Sequence, residues 1–213
     1  MPTSTASHPA LPPHVGAISH RGHRAARARQ RDGVAAMDQV SAVDPTVVQI
    51  AVELTAPAIH RNARLIEPPL QALQGHLSVD SVFVALFDRT LTRISWVAAA
   101  NSKYQYCNPH ELLGLPQPFS PELLQRLKMG QLLDVRDGTS LSGDYGSFCK
   151  QLLPLNLCSM LVGGITVGDR LVGFMLFGSL HRRSHWEMGT HLTMKLMAAC
   201  YTAGLERSQL RSK

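Results

Sequence analysis

The segment from Val162 to Ser179, VGGITVGDRLVGFMLFGS, constrains the fold of this chain more than any other. Its two apolar runs flank Gly168-Asp169, and such a pair between apolar runs is typical of the tight turn in a β-hairpin. The segment also contains five glycines. Glycine weakens a strand, so its repeated use here indicates that something must approach the hairpin closely, or that a bulge is needed.

Further strands and short helices are predicted upstream of this hairpin. The apolar runs SVFVALFD and RISWVAAAN predict a first hairpin, and QLLDVRD predicts a short strand. Ser120, followed by proline and glutamate, predicts a helix that Gly130 ends. The run SFCKQLLPL predicts a helix that lasts until Pro154.

The two ends of the ordered region are predicted to be helical. Asp44-Pro45 is a typical helix start, and we expect a helical entry over residues 44–77, interrupted at Pro57 and again at Pro68-Pro69. At the other end, Ser184 and Glu187 have the spacing of a capping box before a helix of about 24 residues.

The sequence predicts two neighbouring apolar stripes on the long C-terminal helix. The first stripe is Met188, Leu192, Leu196, Ala199 and Ala203, and the second is Met194, Met197, Tyr201 and Leu205. One stripe can cover the sheet, and the other needs a second partner. We expect the second stripe to be the uncovered one, and therefore predict a homodimer through the terminal helices.

Residues 1–43 differ in composition from the rest of the chain. They are rich in Pro, Ser and His, and the first 40 residues hold five arginines against two aspartates. We interpret them as a disordered basic tail, with a nucleic-acid or membrane-surface segment, an organelle transit segment, or a true start at Met37 as alternatives. Residues 44–210 are predicted to form a single domain, whose mild charge disfavours a nucleic-acid partner.

The cysteines and the apolar runs bear on the compartment. Cys107, Cys149, Cys158 and Cys200 form neither a CxxC motif nor a zinc-like cluster with histidine, and we expect reduced thiols in a cytoplasm. Cys158 and Cys200 are expected to be buried. No apolar run reaches the roughly 18 residues of a membrane helix.

The stretch from Leu157 to Glu206 carries a resemblance to a known family. It begins with the strand led by Ser159, continues with the turn and strand GDRLVGFMLFG, and ends with the helix start RSHWEMGTHL. In this order the stretch resembles a GAF domain, a small-molecule sensor module of bacterial signalling proteins. The resemblance extends over roughly residues 66–207 and implies an α+β, GAF/PAS-like fold with a central antiparallel sheet. Terminal helices would pack on one face of the sheet, and ligand-pocket loops on the other.

The resemblance also implies a ligand site between the sheet and the loops 101–118 and 137–148. Those loops contain the candidate ligand-binding residues Tyr104, Tyr106, Cys107, His110, Asp144, Tyr145 and Phe148. Anchoring of the loops is the alternative role for these side chains. Within the hairpin, we expect Gly173 and Gly178 to admit the long helix, and Gly163 and Gly164 to leave room for a ligand.

The identity of a ligand or cofactor stays open at this point. The chain lacks the chromophore cysteine signature of bilin-binding GAF domains and the Asn-Lys-x-x-x-Asp-Glu motif of those that bind cyclic nucleotides. His110 would be the candidate axial ligand for haem, which a lone loop histidine supports poorly. The resemblance therefore implies a non-catalytic, ligand-sensing regulatory domain, with a signalling protein as a further partner. The alternatives are a GAF-fold interaction or dimerisation module without a ligand, and an enzyme like the thiol-dependent free methionine sulfoxide reductases.

Overall fold

A single antiparallel sheet organises the part of the chain that the structure describes. The structure is a computed structural model that describes residues 44–58, 62–100, 107–139, 143 and 145–210. In these ranges the sheet has five strands in the order β2-β1-β5-β4-β3. The strands are β1 Ser81–Phe87, β2 Ile94–Ala99, β3 Leu133–Val135, β4 Ser159–Val167 and β5 Arg170–Ser179. Both predicted hairpins are present, as β1–β2 and β4–β5, and Gly168 takes a positive φ of 59° in the second turn.

One face of the sheet is covered by long helices, and we call it the helix-side face. The helices are α1 Pro45–Leu54, α2 Ala63–Leu77 and α5 Met188–Leu210. Helix α2 packs on β1 and β2, α5 packs on β4 and β5, and α1 contacts both helices. Buried side chains from these helices and from alternate strand positions form the helix-side core, which includes Ile50, Leu70, Phe177, Met197 and Tyr201.

The opposite face is covered by short segments, and we call it the loop-side face. They are a 3₁₀ turn at Pro109–Leu112, α3 Pro121–Lys128, α4 Gly146–Leu152 and a second 3₁₀ turn at Leu153–Leu155. Their buried side chains form the loop-side core with Phe83, Phe87 and Phe174 from the sheet. Helices on one face and loops with short helices on the other are the α+β architecture that the resemblance implies, so this prediction is confirmed.

Local capping fixes the starts of two predicted helices. The Asp44 carboxylate accepts a hydrogen bond of 2.7 Å from the amide of Thr46, and this bond lowers the pKa of that carboxyl. The Ser120 hydroxyl accepts from the amide of Leu123 at 3.4 Å, and Gly130 follows α3 with a φ of 71°. Both helix starts are therefore confirmed, together with the stop signal at Gly130.

The predicted break at Pro68-Pro69 is wrong, because α2 runs through both prolines. A proline in a helix removes one backbone hydrogen bond and costs about 3 kcal/mol. Here the helix buries Ile66, Leu70 and Leu73 completely on the sheet. Burial of three such side chains stabilises the helix by about 5–8 kcal/mol in total, which offsets much of the local cost.

The predicted capping box before α5 is also wrong. The helix begins at Met188, and the Ser184 hydroxyl lies 3.1 Å from Nδ1 of His185 instead of bonding to a helix amide. Tertiary contacts hold the segment that precedes Met188. The Arg183 guanidinium stacks on the ring of buried Trp186, with its central carbon 4.7 Å from the ring centre. The same guanidinium donates a hydrogen bond of 2.9 Å to the carbonyl of Ser78. These contacts accompany a non-helical segment up to Glu187.

The two stripes of α5 have roles opposite to those predicted. Met194, Met197, Tyr201 and Leu205 are buried in the helix-side core. Met188, Leu192 and Leu196 are 74%, 61% and 39% exposed. At 3.6 residues per turn the stripes lie on opposite sides of the helix, so only one can face the sheet. The larger side chains of the second stripe, with Tyr201 at its centre, are the ones that the sheet covers.

The strand glycines admit neighbours other than those predicted. A Cβ added at Gly163 would lie 3.0 Å from the sulfur of Met194 on α5, and one at Gly164 would lie 2.8 Å from the carbonyl oxygen of Leu127 on α3. Gly173 instead faces the backbone of β1, and a Cβ at Gly178 would lie 2.7 Å from the Leu157 side chain. The long helix is therefore admitted by Gly163, and not by Gly173 or Gly178.

Three further expectations from the sequence concern the burial of two cysteines, membrane-spanning helices and the N-terminal tail. Cys158 and Cys200 are partly exposed, so their predicted burial is wrong. Cys158 precedes β4, and Cys200 lies near the middle of α5. None of the helices in the described ranges combines the length and the apolar character that crossing a bilayer requires. The prediction of a disordered tail falls on residues 1–43, which lie outside the described residues.

Candidate functional site

The structure brings together some of the predicted site residues. Cys107 and Phe148 are buried in the loop-side core, and Tyr145 is partly buried against it. His110 is exposed in the first 3₁₀ turn, where its amide donates to the Asn108 side chain at 3.2 Å, and it is not part of the loop-side core. The other predicted residues, Tyr104, Tyr106 and Asp144, lie outside the described residues.

Phenylalanine rings fill the centre of the loop-side face. Phe119, which precedes α3, stacks on Phe148 with ring centres 5.1 Å apart and meets Phe174 edge-on at 5.1 Å. Phe174 also contacts Phe83 at 6.0 Å and Phe87 at 6.1 Å. Aromatic pairs in these geometries contribute about 0.5–1.5 kcal/mol each beyond the area that they bury. We call this cluster of phenylalanine side chains the apolar floor of the loop-side face.

The thiols near this floor are not arranged for thiolate chemistry. Burial raises the pKa of the Cys107 thiol, and the carboxylates of Asp80 and Glu111 add to the rise. Burial also raises the pKa of the Cys149 thiol, and nearby Asp137 adds to it. A reactive cysteine needs an electropositive and accessible environment that lowers its pKa, which neither thiol has.

Arg126 is a polar residue of this face that the sequence analysis missed. It lies on α3, is partly buried, and donates from Nη2 to the phenolic oxygen of Tyr145 at 3.2 Å. Its guanidinium carbon also lies 5.6 Å from the centre of the Tyr145 ring. Glu122 lies one helical turn before Arg126. This spacing by itself suggests only an ordinary i,i+4 ion pair on the helix surface. No local signal could have indicated that Arg126 meets a residue 19 positions away.

Ser159, the first residue of β4, has a structural role. Its hydroxyl donates to the carbonyl of Arg136 at 2.8 Å and accepts from the amide of Arg183 at 2.8 Å. The Asp80 carboxylate similarly accepts from the Ser179 hydroxyl at 3.0 Å and from the amide of Leu180 at 2.8 Å. These bonds join the ends of the central strands to the segment that leads into α5.

A separate groove of about 460 Å³ lies on the helix-side face, next to α5. Gly163 and Gly164 line it, as a ligand role for these glycines would require, but none of the described residues of the predicted pocket loops lines it. Lys195 and Glu206 of α5 also line it. Separately, no group of three or more His, Cys, Asp or Glu side chains in the described ranges could hold a metal ion.

Comparison with solved structures places this geometry in a fold family. A phycoerythrobilin-bound GAF domain from a cyanobacterial phytochrome is similar with a TM-score of 0.62 and 15% sequence identity, over 80% of this chain and 100% of that chain. A phycocyanobilin-bound GAF domain from a cyanobacterial phytochrome is similar with a TM-score of 0.59 and 16% identity, over 79% and 98% of the two chains.

This chain has the GAF fold. The free methionine-R-sulfoxide reductase from Neisseria meningitidis, solved with its substrate, is also similar, with a TM-score of 0.54 and 16% identity over 80% of this chain and 96% of that chain. The GAF fold is therefore shared here with bilin-binding domains and with an enzyme. No family model matches the sequence, and no curated protein matches it. At such identities the comparisons show the fold alone, because one fold can carry many different sites.

Proposed function

We propose that this chain is a small-molecule-sensing, non-catalytic regulatory domain of signal transduction whose ligand binds at the loop-side face. The observation that carries this proposal is that Cys107, Tyr145 and Phe148, from two separate loops, all pack in or against the loop-side core. The same core contains the phenylalanine cluster. Aromatic side chains with a few polar groups at their margin are typical of small-molecule sites.

The similar structures support a small-molecule ligand of this kind. The descriptions of two of them name a bound bilin, and that of the reductase names a bound substrate. The sequence of this chain lacks the bilin signature, so the ligand proposed here is not a bilin. The pKa values of Cys107 and Cys149, both raised, support a non-catalytic role over a thiol reductase. A cytoplasmic location stays a prediction.

We further propose that the domain signals as a homodimer through its terminal helices. The supporting observation is the exposed stripe of Met188, Leu192 and Leu196 on α5, together with exposed Val48 and Val52 on α1. Exposed apolar side chains in a row are typical of an interaction surface. A Leu192→Glu substitution should convert the dimer to a monomer by light scattering, since it places a charge in the proposed interface. A wild-type protein that is monomeric at high micromolar concentration would contradict the dimer.

A second candidate function is an interaction module that binds no ligand. The observation that favours it is the phenylalanine cluster, in which Phe119, Phe148 and Phe174 fill the centre of the loop-side face with their own rings. A face filled in this way leaves less room for a ligand than an open cavity does. The fold would then serve dimerisation or docking alone.

A thermal-shift screen of the full chain distinguishes the two functions. A ligand that binds only the folded state at a hundredfold excess over its Kd stabilises it by about 2.7 kcal/mol, which corresponds to a few degrees in Tm. We expect at least one stabilising compound among nucleotides, oxyanions, amino acids and tetrapyrroles. Tyr145→Ala should remove its shift, and should lower the ligand-free Tm by only a few degrees, because Tyr145 is partly buried at the edge of the core. A screen without hits, and a purified protein without bound small molecules by native mass spectrometry, would favour the interaction module.

A further inference from the structure

Arg126 is a partly buried cation, and no side chain that the structure describes balances its charge. Its described hydrogen-bond partner is the neutral phenol of Tyr145, at 3.2 Å. Within the described ranges, no carboxylate oxygen lies within 4 Å of this guanidinium. An arginine stays charged at any physiological pH, and withdrawing its charge from water costs free energy unless an anion compensates it.

The carboxylate nearest to Arg126 along α3 does not pair with it. Glu122 stands one helical turn before Arg126, where it could form an i,i+4 ion pair. None of the ion pairs among the described residues includes Glu122 or Arg126. The guanidinium of Arg126 therefore has no carboxylate partner on its own helix.

The direction of the Arg126–Tyr145 hydrogen bond leaves donors available. Arg126 donates and the phenolic oxygen accepts, so the hydroxyl proton of Tyr145 is free to donate to a third group. Most of the five N–H donors of the guanidinium are free as well, in the planar fork that matches a carboxylate or phosphate. Donors from both side chains can therefore meet on one anionic oxygen.

The pair stands at the margin of the apolar floor. The Tyr145 ring packs against the loop-side core, which also contains Leu123 and Leu127 from the same helix as Arg126. The polar ends of Arg126 and Tyr145 thus lie beside apolar side chains. A molecule with one anionic group and an apolar or aromatic body would fit this combination better than a neutral or a fully polar one.

We propose that Arg126 and Tyr145 bind the anionic group, a carboxylate or a phosphate, of the small molecule that this domain senses. This inference rests on the proposed function and specifies the chemical class of its ligand. Arg126 supplies the charge and the fork, and Tyr145 supplies the hydroxyl donor and one apolar wall.

The test uses matched probes with and without the anionic group on the full chain. The probes are phenylacetate, phenyl phosphate and neutral phenylacetamide, with binding followed by saturation-transfer NMR and by the shift in Tm. We expect one or both anions to bind and phenylacetamide to bind at least about tenfold more weakly, because a charge-assisted hydrogen bond is lost. The two anions distinguish a carboxylate site from a phosphate site.

Three variants connect the binding to the proposed pair. Arg126→Gln should weaken anion binding by about tenfold or more, and Tyr145→Phe should weaken it less, since it removes one hydroxyl and keeps the ring. Arg136→Gln is the control, because Arg136 lies on the surface beside its own carboxylate partner, Asp134. We expect this control to bind like the wild type. Tyr145→Phe also keeps the test valid if Arg126→Gln does not fold.

The outcomes separate this inference from the proposed function. Equal binding of phenylacetate and phenylacetamide, unchanged in Arg126→Gln, would overturn the anionic ligand while leaving a small-molecule sensor in place. Binding by none of the probes, together with no hit in the broader screen, would contradict the sensor itself. Equal loss of anion binding in Arg126→Gln and Arg136→Gln would show that overall charge, and not this pair, attracts the probe.

Discussion

The two faces of the sheet differ in how their cores are built. On the helix-side face, continuous helices bury apolar stripes, and the core is sealed by long side chains such as Met197 and Tyr201. On the loop-side face, short segments cover stacked phenylalanines, and a cation–phenol pair stands at the margin. Polar groups are tolerated where regular packing ends, so the loop-side face is the one at which we propose a ligand, and the regular packing of the helix-side face contributes mainly to stability.

The largest expected effect comes from placing a charged side chain in the helix-side core. Met197 is completely buried, so Met197→Glu places a charge in the helix-side core and should cost more than about 4 kcal/mol of unfolding free energy. Gln209→Glu, at an exposed position of the same helix outside the Met188, Leu192 and Leu196 stripe, is the control and should change the unfolding free energy by less than about 0.5 kcal/mol. Urea unfolding followed by circular dichroism measures both. A stable, monomeric Met197→Glu variant would restore the original assignment of the two stripes.

A second experiment compares the faces directly through two phenylalanines of β5. Phe174 points to the loop-side core and Phe177 to the helix-side core, and both are completely buried. Truncation to alanine should cost about 3–5 kcal/mol at either position. Only Phe174→Ala should also abolish the Tm shift caused by a ligand. If Phe177→Ala abolished that shift and Phe174→Ala kept it, the assignment of the ligand to the loop-side face would be wrong.

The smallest expected effect comes from adjacent glycines that face opposite sides. A Cβ added at Gly164 would meet the backbone carbonyl of Leu127, which cannot move without displacing α3, so Gly164→Ala should cost about 1–3 kcal/mol. A Cβ at Gly163 would meet the flexible side chain of Met194, so Gly163→Ala should cost less than about 1 kcal/mol. Denaturant midpoints measure both. Equal costs would show that rigid and flexible neighbours respond alike at these positions.

Much of the fold was predictable from local signals. The hairpin turn at Gly168, the helix start at Asp44 and the stop at Gly130 each depend on a few adjacent residues whose conformational preferences are strong. Where prediction failed, tertiary packing outweighed the local preference. Pro68-Pro69 did not break α2, because the buried side chains around them hold the helix on the sheet.

The candidate site was predictable only in part. Cys107, Tyr145 and Phe148 were assigned to the loop side by the resemblance, and the structure places them there. His110 is exposed, since a short 3₁₀ turn carries it away from the core. Arg126 was missed because its significance depends on a partner distant in sequence and on the lack of an ion pair with Glu122 among the described residues.

The sequence by itself determined the order of strands and helices, the tight turns, and the presence of two apolar stripes on the last helix. These features follow from side-chain periodicity and from residues with special backbone preferences, both of which act over a few positions. Only the tertiary structure decided which stripe of α5 is buried, which neighbours Gly163 and Gly164 admit, and that Arg126 meets Tyr145. Those outcomes depend on the shapes and charges of surfaces that the fold brings together, and no local pattern in the chain encodes them.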